Sequence, residues 1–129
     1  MTELLARAEQ VAGRAYAPYS GLHIGAALRT AAGNVYEGCN VENASYGLTW
    51  CAERTAVTSA VAVEGPGMRI EAVAVYTPDL ETCPPCGACR QVLAEFGPDA
   101  TVAYREGGEA VRHTVRDLLP HAFYAGSDR

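Results

Sequence analysis

The stretch TCPPCGACRQV, residues 82–92, contains three of the chain's five cysteines within seven positions. Cys83, Cys86 and Cys89 form two overlapping Cys-x-x-Cys pairs, a spacing that is typical of metal sites. The apolar residues that follow recur at helical intervals and predict a helix over residues 87–96, after a proline-rich loop. Three sulfurs do not complete a four-coordinate metal site. The fourth position is either closed by another ligand from the protein or left open for chemistry.

The composition favours one folded domain spanning residues 1–129. Hydrophobic residues make up 49% of the chain, which is enough for a core. No apolar run approaches the ~20 residues that a transmembrane helix needs. The first twenty residues carry acids and do not resemble a secretion signal. We therefore expect a cytoplasmic, reducing location, where five cysteines indicate metal binding or catalysis rather than disulfides.

The charge distribution argues against a polynucleotide partner. The formal net charge is -5, and all ten basic residues are arginines scattered singly along the chain. Proteins that bind nucleic acid usually concentrate positive charge on one face. The sequence therefore favours a small-molecule substrate, with neither nucleic acid nor membrane as a partner.

The remaining pattern alternates helices and strands. Period-two or continuous apolar runs predict strands over 22–30, 35–41, 70–76, 100–104 and 110–115. Helical spacing predicts helices over 3–16 and 51–63 in addition to 87–96, and a short helical turn within 116–123. This order is typical of an α/β fold in which helices pack on both faces of one mixed sheet.

A second cysteine segment, CAE at 51–53, also lies at the predicted start of a helix. A helix N-terminus favours negative charge, so cysteines there ionise more readily. Thiolates from Cys51, Cys86 and Cys89 would bind Zn²⁺ at ~2.3 Å each and leave a fourth position for water, whose pKa zinc lowers toward ~7. Glu53, in the first turn, could reach that open side and carry a proton.

A closed structural zinc site is the main competing interpretation. Cys83 would then supply a fourth thiolate and exclude water. We expect Pro84 and Pro85 to direct Cys83 away from the metal, which would leave that cysteine in a loop without a role. Cys39 is expected to be a small apolar side chain on a strand.

Four blocks extend the pattern over nearly the whole chain: APYSGLHIGAAL (17–28), GCNVENASYGLTWCAERTA (38–56), PCGACRQVLAEFG (85–97) and DLLPHAF (117–123). A His- or Cys-x-Glu segment followed by Pro-Cys-x-x-Cys is the signature of zinc deaminases. With these blocks in this order, the sequence resembles the cytidine deaminase family. The resemblance implies a three-layer α/β/α sandwich with a mixed, mostly five-stranded sheet. It also implies one zinc per subunit and a homotetramer with shared active sites.

The resemblance also implies residue roles. Cys51, Cys86 and Cys89 match the zinc ligands, and Glu53 matches the proton shuttle that also contacts N3 of the pyrimidine. Further matches concern substrate binding. Asn40 and Glu42 match the residues that contact the sugar, and Ala52 matches the residue whose backbone N–H meets the base carbonyl. Leu22 matches an apolar wall beside the base, and the aromatic residues Tyr46 and Phe123 match residues that reach a neighbouring subunit's pocket.

Two further matches, Arg54 and Gln91, correspond to groups that donate hydrogen bonds to the zinc thiolates. Three thiolates on one dication leave a formal charge of -1, and a cation such as Arg54 offsets it. Two positions depart from the family pattern: Leu22 stands where phenylalanine is common, and Trp50 is bulkier than usual.

The function expected from this resemblance is hydrolysis of cytidine and deoxycytidine to uridine and deoxyuridine with release of ammonia, in pyrimidine salvage. Deamination of a cytosine-bearing antibiotic is the nearest competing function, because such relatives share the zinc segments. Two less similar functions also compete with it, namely deamination of polynucleotides and a non-catalytic zinc module that binds other proteins.

Overall fold

The computed structural model describes residues 1–125 and contains one five-stranded sheet with helices on both faces. Its strands are β1 (Gly25–Thr30), β2 (Val35–Cys39), β3 (Ile70–Tyr76), β4 (Thr101–Glu106) and β5 (Glu109–Thr114). The helices are α1 (Thr2–Ala12), α2 (Ala52–Glu64), α3 (Gly87–Phe96) and the short α4 (Val115–Leu118), with a 3-10 helix over Tyr46–Leu48. Among these described residues, no helix combines the length and the apolar character needed to cross a bilayer.

The sheet is mixed, as expected. Its strand order is β2-β1-β3-β4-β5, and only the β3–β4 pair is parallel. The α2 and α3 helices pack over one face in a cluster that includes Leu28, Val73 and Leu93. The other face, at Ala27 and Ala74, is covered by α1. This is the predicted α/β/α sandwich.

Two glycines allow helices to approach the sheet closely. A Cβ atom on Gly38 of β2 would lie 2.4 Å from the carbonyl oxygen of Ala52, in the first turn of α2. A Cβ on Gly25 of β1 would lie 2.0 Å from the carbonyl oxygen of Ala8. The first turn of α2 therefore rests directly on the backbone of β2, which fixes the position of the CAE segment.

The main differences from the predicted elements lie at their ends. The first helix stops at Ala12 rather than at residue 16, because the N–H groups of Gly13, Arg14 and Ala15 bond to carbonyl oxygens three residues back instead of four. The β1 strand begins at Gly25 rather than at Leu22, because the side chain of Asn40 takes the place of a ladder partner for residues 22–24. Residues Gly25–Leu28 are buried on both faces of the sheet.

Candidate functional site

The three predicted thiol ligands meet where two helices begin. Cys51 is the N-cap of α2, Cys86 is the N-cap of α3, and Cys89 lies in the first turn of α3. The N–H of Cys89 donates to the Sγ of Cys86 at 3.4 Å. The three sulfur atoms lie within 4.8 Å of one another. Tetrahedral Zn²⁺ with ~2.3 Å bonds requires sulfurs ~3.8 Å apart, so this donor set fits the ion.

Cys83 is not a member of this cluster. The N–H of Cys83 donates to the carbonyl oxygen of Arg105 at 3.1 Å, which anchors this part of the loop to the end of β4. The arrangement therefore favours a three-cysteine site over the closed four-cysteine site. Cys83 is nevertheless not remote from the site, because it lines the same cavity as the three ligands. Burial raises the pKa of its thiol.

Glu53 is a buried carboxyl group at the wall of this cavity. Only 5% of the residue is exposed, although it lies in the first turn of a helix. Burial raises the pKa of Glu53 to about 6, and the nearby charge of Cys51 acts in the same direction. A carboxyl group poised in this range can both accept and release a proton near neutral pH.

Arg54 forms a hydrogen bond with one thiol of the cluster, that of Cys51. Its Nη2 donates to the Sγ of Cys51 at 2.9 Å. Hydrogen bonds from Cys89 and then from Arg54 lower the pKa of Cys51 to about 5, whereas Cys89, as the donor to Cys51, has a raised pKa. The cluster thus already stabilises a thiolate at Cys51. The Nε of Arg54 is buried and lacks a partner among the described residues.

The thiols and Glu53 open onto a cavity of about 240 Å³. Leu22, Asn40, Glu42 and Ala52, all predicted to bind substrate, lie on its walls. The sequence did not assign a role to five further wall residues: Ser20, Ile24, Thr49, Cys83 and Pro84. Ser20 and Ile24 belong to the APYSGLHIGAAL block, which was the only signal that could have indicated them.

Asn40 is buried and uses both ends of its amide within the protein. Its Oδ1 accepts from the N–H of Ile24 at 2.8 Å, and its Nδ2 donates to the carbonyl oxygen of Leu22 at 2.8 Å. These bonds hold the segment that carries Leu22 against the cavity. One lone pair and one N–H of the amide remain for a ligand.

Glu42 accepts hydrogen bonds from the turn at residues 19–20. The N–H groups of Tyr19 and Ser20 donate to its Oε1 at 3.0 and 3.1 Å, and the hydroxyl of Ser20 donates to its Oε2. The hydrogen bond from the Ser20 side chain is the main cause of the lowered pKa of Glu42. The group is therefore an ionised acceptor at the rim of the cavity.

The remaining predicted residues lie outside the cavity wall. The Nε2 of Gln91 donates to the carbonyl oxygen of Phe123 at 2.8 Å, which leaves one amide N–H for the predicted bond to a thiolate. The aromatic residues Tyr46, Trp50 and Phe123 are 73%, 57% and 74% exposed. Tyr46 lies beside Tyr19, with ring centroids 5.6 Å apart.

A larger cleft of about 630 Å³ lies at the opposite end of the sheet, where β3 and β4 begin. Its walls carry paired charges such as Arg29 and Glu71, and they include no cysteine. Size alone therefore does not identify the reactive site. The smaller cavity combines three thiols and a buried carboxyl group, which is the arrangement that supports hydrolytic chemistry.

Comparisons with known proteins agree with this geometry. Residues 1–105 match the family described as the cytidine and deoxycytidylate deaminase zinc-binding region. A cytidine deaminase from Halalkalibacterium halodurans is 47% identical over 95% of this chain and 92% of its own. The crystal structure of a cytidine deaminase from Burkholderia pseudomallei superposes with a TM-score of 0.86, at 47% identity, covering 95% of this chain and 98% of that chain.

A blasticidin-S deaminase from Bacillus cereus is a more distant relative, 32% identical over 76% of this chain and 74% of its own. The extent of these matches agrees with the three-thiol cluster, the buried glutamate and the mixed five-stranded sheet. The chain therefore belongs to the cytidine and deoxycytidylate deaminase family of zinc-dependent hydrolases.

Proposed function

We propose that residues 1–129 form a single deaminase domain that converts cytidine and deoxycytidine, with one water, to uridine and deoxyuridine and ammonia. The observation that carries the proposal is the position of Glu53, a buried carboxyl group on the wall of the cavity that also contains three convergent thiols. The cavity has apolar and polar walls, as expected for a small nucleoside.

Cys51, Cys86 and Cys89 would hold the zinc ion. When bound, zinc acts as a Lewis acid and makes hydroxide available from water near neutral pH. The chain's own contribution is to present the three sulfurs at two helix N-termini, where exposed N–H groups favour thiolates. Arg54, which donates to Cys51, and Gln91 are the proposed donors to the sulfurs.

Glu53 would move the protons of the reaction. It takes a proton from the attacking water and delivers it to N3 of the cytosine ring. It then takes the second proton from the hydroxyl that the water has left on C4, and gives it to the C4 amine, which leaves as ammonia. Burial supports this role, because it holds the pKa of Glu53 at about 6, so the protonated and ionised forms are both accessible.

The remaining walls would recognise the nucleoside. The backbone N–H of Ala52 is the proposed donor to the base carbonyl, and Leu22 provides an apolar wall beside the ring. Asn40 and Glu42 are the proposed partners of the sugar hydroxyl. All four lie on the cavity wall, and Asn40 and Glu42 each retain hydrogen-bonding capacity after their bonds within the chain.

We further propose that the active enzyme is a homotetramer in which Tyr46 and Phe123 complete a neighbouring subunit's cavity. Their exposure in the single chain, at 73% and 74%, supports this proposal, because aromatic side chains are enriched at the buried centre of subunit interfaces. Sedimentation of the active enzyme should give four chains. An active monomer would contradict the shared site.

The decisive experiment pairs zinc content with turnover. The purified protein should contain one zinc per chain and deaminate cytidine and deoxycytidine, as followed by ultraviolet absorbance. Blasticidin S, tested in parallel, should be a poor substrate. Zinc-loaded protein that deaminates neither nucleoside would contradict the proposal, and faster turnover of blasticidin S would favour an antibiotic-directed enzyme. A place in pyrimidine salvage, in the cytoplasm, is the expected cellular role.

A further inference from the structure

A single hydroxyl group, that of Ser20, connects two walls of the cavity. It donates to the Oε2 of Glu42 and accepts a hydrogen bond from the N–H of Leu22 at 3.0 Å. The direction of the first bond is fixed, because an ionised carboxylate can only accept. Ser20 itself lines the cavity with Leu22 and Glu42, although the residue is exposed.

The bonds from the 19–20 turn leave little freedom in the Glu42 carboxylate. A carboxylate has about four lone-pair directions. Two N–H groups of the turn occupy Oε1, and the Ser20 hydroxyl occupies one side of Oε2. One acceptor direction, on Oε2, remains for a ligand. Without the hydroxyl, Oε2 could turn to solvent, while the two backbone bonds to Oε1 would persist.

We propose that Ser20 is a positioning residue that sets the enzyme's selectivity for a sugar hydroxyl, by directing the remaining acceptor of Glu42 into the cavity. This inference rests on the proposed function, in which Glu42 binds that hydroxyl. A site built to bond a substrate hydroxyl rejects analogues that lack it, because the site's polar group is then left unpaired. Ser20 provides that selectivity without touching the reacting atoms.

The test compares kinetics on cytidine, 2′-deoxycytidine and 3′-deoxycytidine. In S20A, we expect KM for cytidine to rise about tenfold, with kcat within about twofold of wild type, because a hydrogen bond to a charged group is lost. We also compare kcat/KM for cytidine with kcat/KM for whichever deoxy analogue the wild type uses least well. This ratio should fall by about the same factor in S20A. A merely structural role would lower turnover of all three nucleosides together.

The T58A variant is the matched control, since the hydroxyl of Thr58 is exposed and bonds only to carbonyl oxygens of its own helix. We expect T58A to keep the wild-type preference. A double-mutant cycle then tests the route through Glu42: the effect of S20A on kcat/KM should shrink to less than about twofold when it is made in E42A.

Two results would overturn the inference. One is an S20A enzyme that keeps the wild-type preference among the three nucleosides. The other is an S20A effect of the same size in the E42A background. Either result leaves cytidine deamination by the wild type untouched, whereas a wild type that fails to deaminate cytidine refutes the proposed function itself.

Discussion

The thiol cluster and the loops that face it across the cavity are positioned in different ways. The cysteines and Glu53 lie at the N-termini of α2 and α3, and both Cys89 and Glu53 are buried, at 0% and 5% exposure. Across the cavity, the loops at residues 17–24 and 41–50 have few buried side chains and are connected by the polar bonds of Asn40 and Glu42. The reactive groups thus lie on rigid elements, and the recognition groups lie on segments that can vary with the substrate.

Removing the proton-carrying group should produce the largest effect. We expect E53Q to bind zinc normally and to lose about 10³- to 10⁴-fold in kcat, because an amide cannot transfer the protons but has the same shape. Zinc content by atomic absorption and turnover by ultraviolet absorbance are the measurements. The first turn of α2 should remain folded, so the loss of kcat would report on proton transfer and not on substrate binding.

The E109Q variant is the control for charge removal, because Glu109 is exposed in the β4–β5 turn region. Its turnover should equal that of wild type. A zinc-loaded E53Q enzyme with near-normal turnover would show that Glu53 does not carry the protons of the reaction.

The next largest effect should come from the partner of the thiols. We expect R54A to fold but to lose about 10- to 100-fold in zinc affinity or activity, since groups that hydrogen-bond metal ligands usually contribute this much. The hydrogen bond of Arg54 to Cys51 offsets the excess negative charge of three thiolates. Chelator competition and turnover measure the two effects separately.

For this variant, the exposed Arg112 in β5 offers a control of equal charge. R112A should match wild type in both measurements. If R54A also keeps its zinc and its turnover, the hydrogen bond to Cys51 contributes to neither zinc affinity nor activity.

The same contrast explains which features were predictable from the sequence. The ligand cluster follows from short-range signals, because Cys51, Cys86 and Cys89 each sit at a recognisable helix start. The β1 strand begins later than its apolar pattern predicts, because the side chain of Asn40, from a distant part of the chain, takes over the pairing of residues 22–24. Cys83 and Ser20 were missed as cavity walls for the same reason. Their positions depend on bonds to distant residues, which the local sequence does not encode.

A substitution at Gly38 tests whether the sheet positions the first turn of α2. An alanine Cβ there would lie 2.4 Å from the Ala52 carbonyl oxygen and 2.7 Å from the Ala56 nitrogen, so α2 must shift. We expect G38A to lower the free energy of unfolding by about 1–3 kcal/mol and to reduce kcat several-fold. Gly67 has open space around its Cβ position, so G67A should change neither urea denaturation nor turnover. Equal behaviour of the two variants would mean that the packing tolerates the shift.

The smallest effect concerns the far end of α2. The Oε2 of Glu64 accepts hydrogen bonds from Thr30, Asn34 and Tyr36 at 2.8, 2.9 and 3.0 Å, and so ties the last residue of α2 to the β1–β2 hairpin. These bonds, first that of Asn34 and then that of Thr30, lower the pKa of Glu64. At pH 7 we expect E64Q to melt a few degrees below wild type, because a neutral amide is a weaker acceptor for three donors.

The pH dependence of the difference in Tm between wild type and E64Q tests whether the charge of Glu64 is responsible. A carboxyl group whose pKa is lower in the folded state stabilises the protein above its unfolded pKa, and that contribution disappears as the pH falls through the folded value. The difference in Tm between wild type and E64Q should therefore be complete at pH 7 and should shrink as the pH falls below the ordinary pKa of 4.5. Glu9 is exposed on α1, and E9Q should show no such trend. A gap that stays constant with pH would mean that the charge of Glu64 does not help to hold this end of α2.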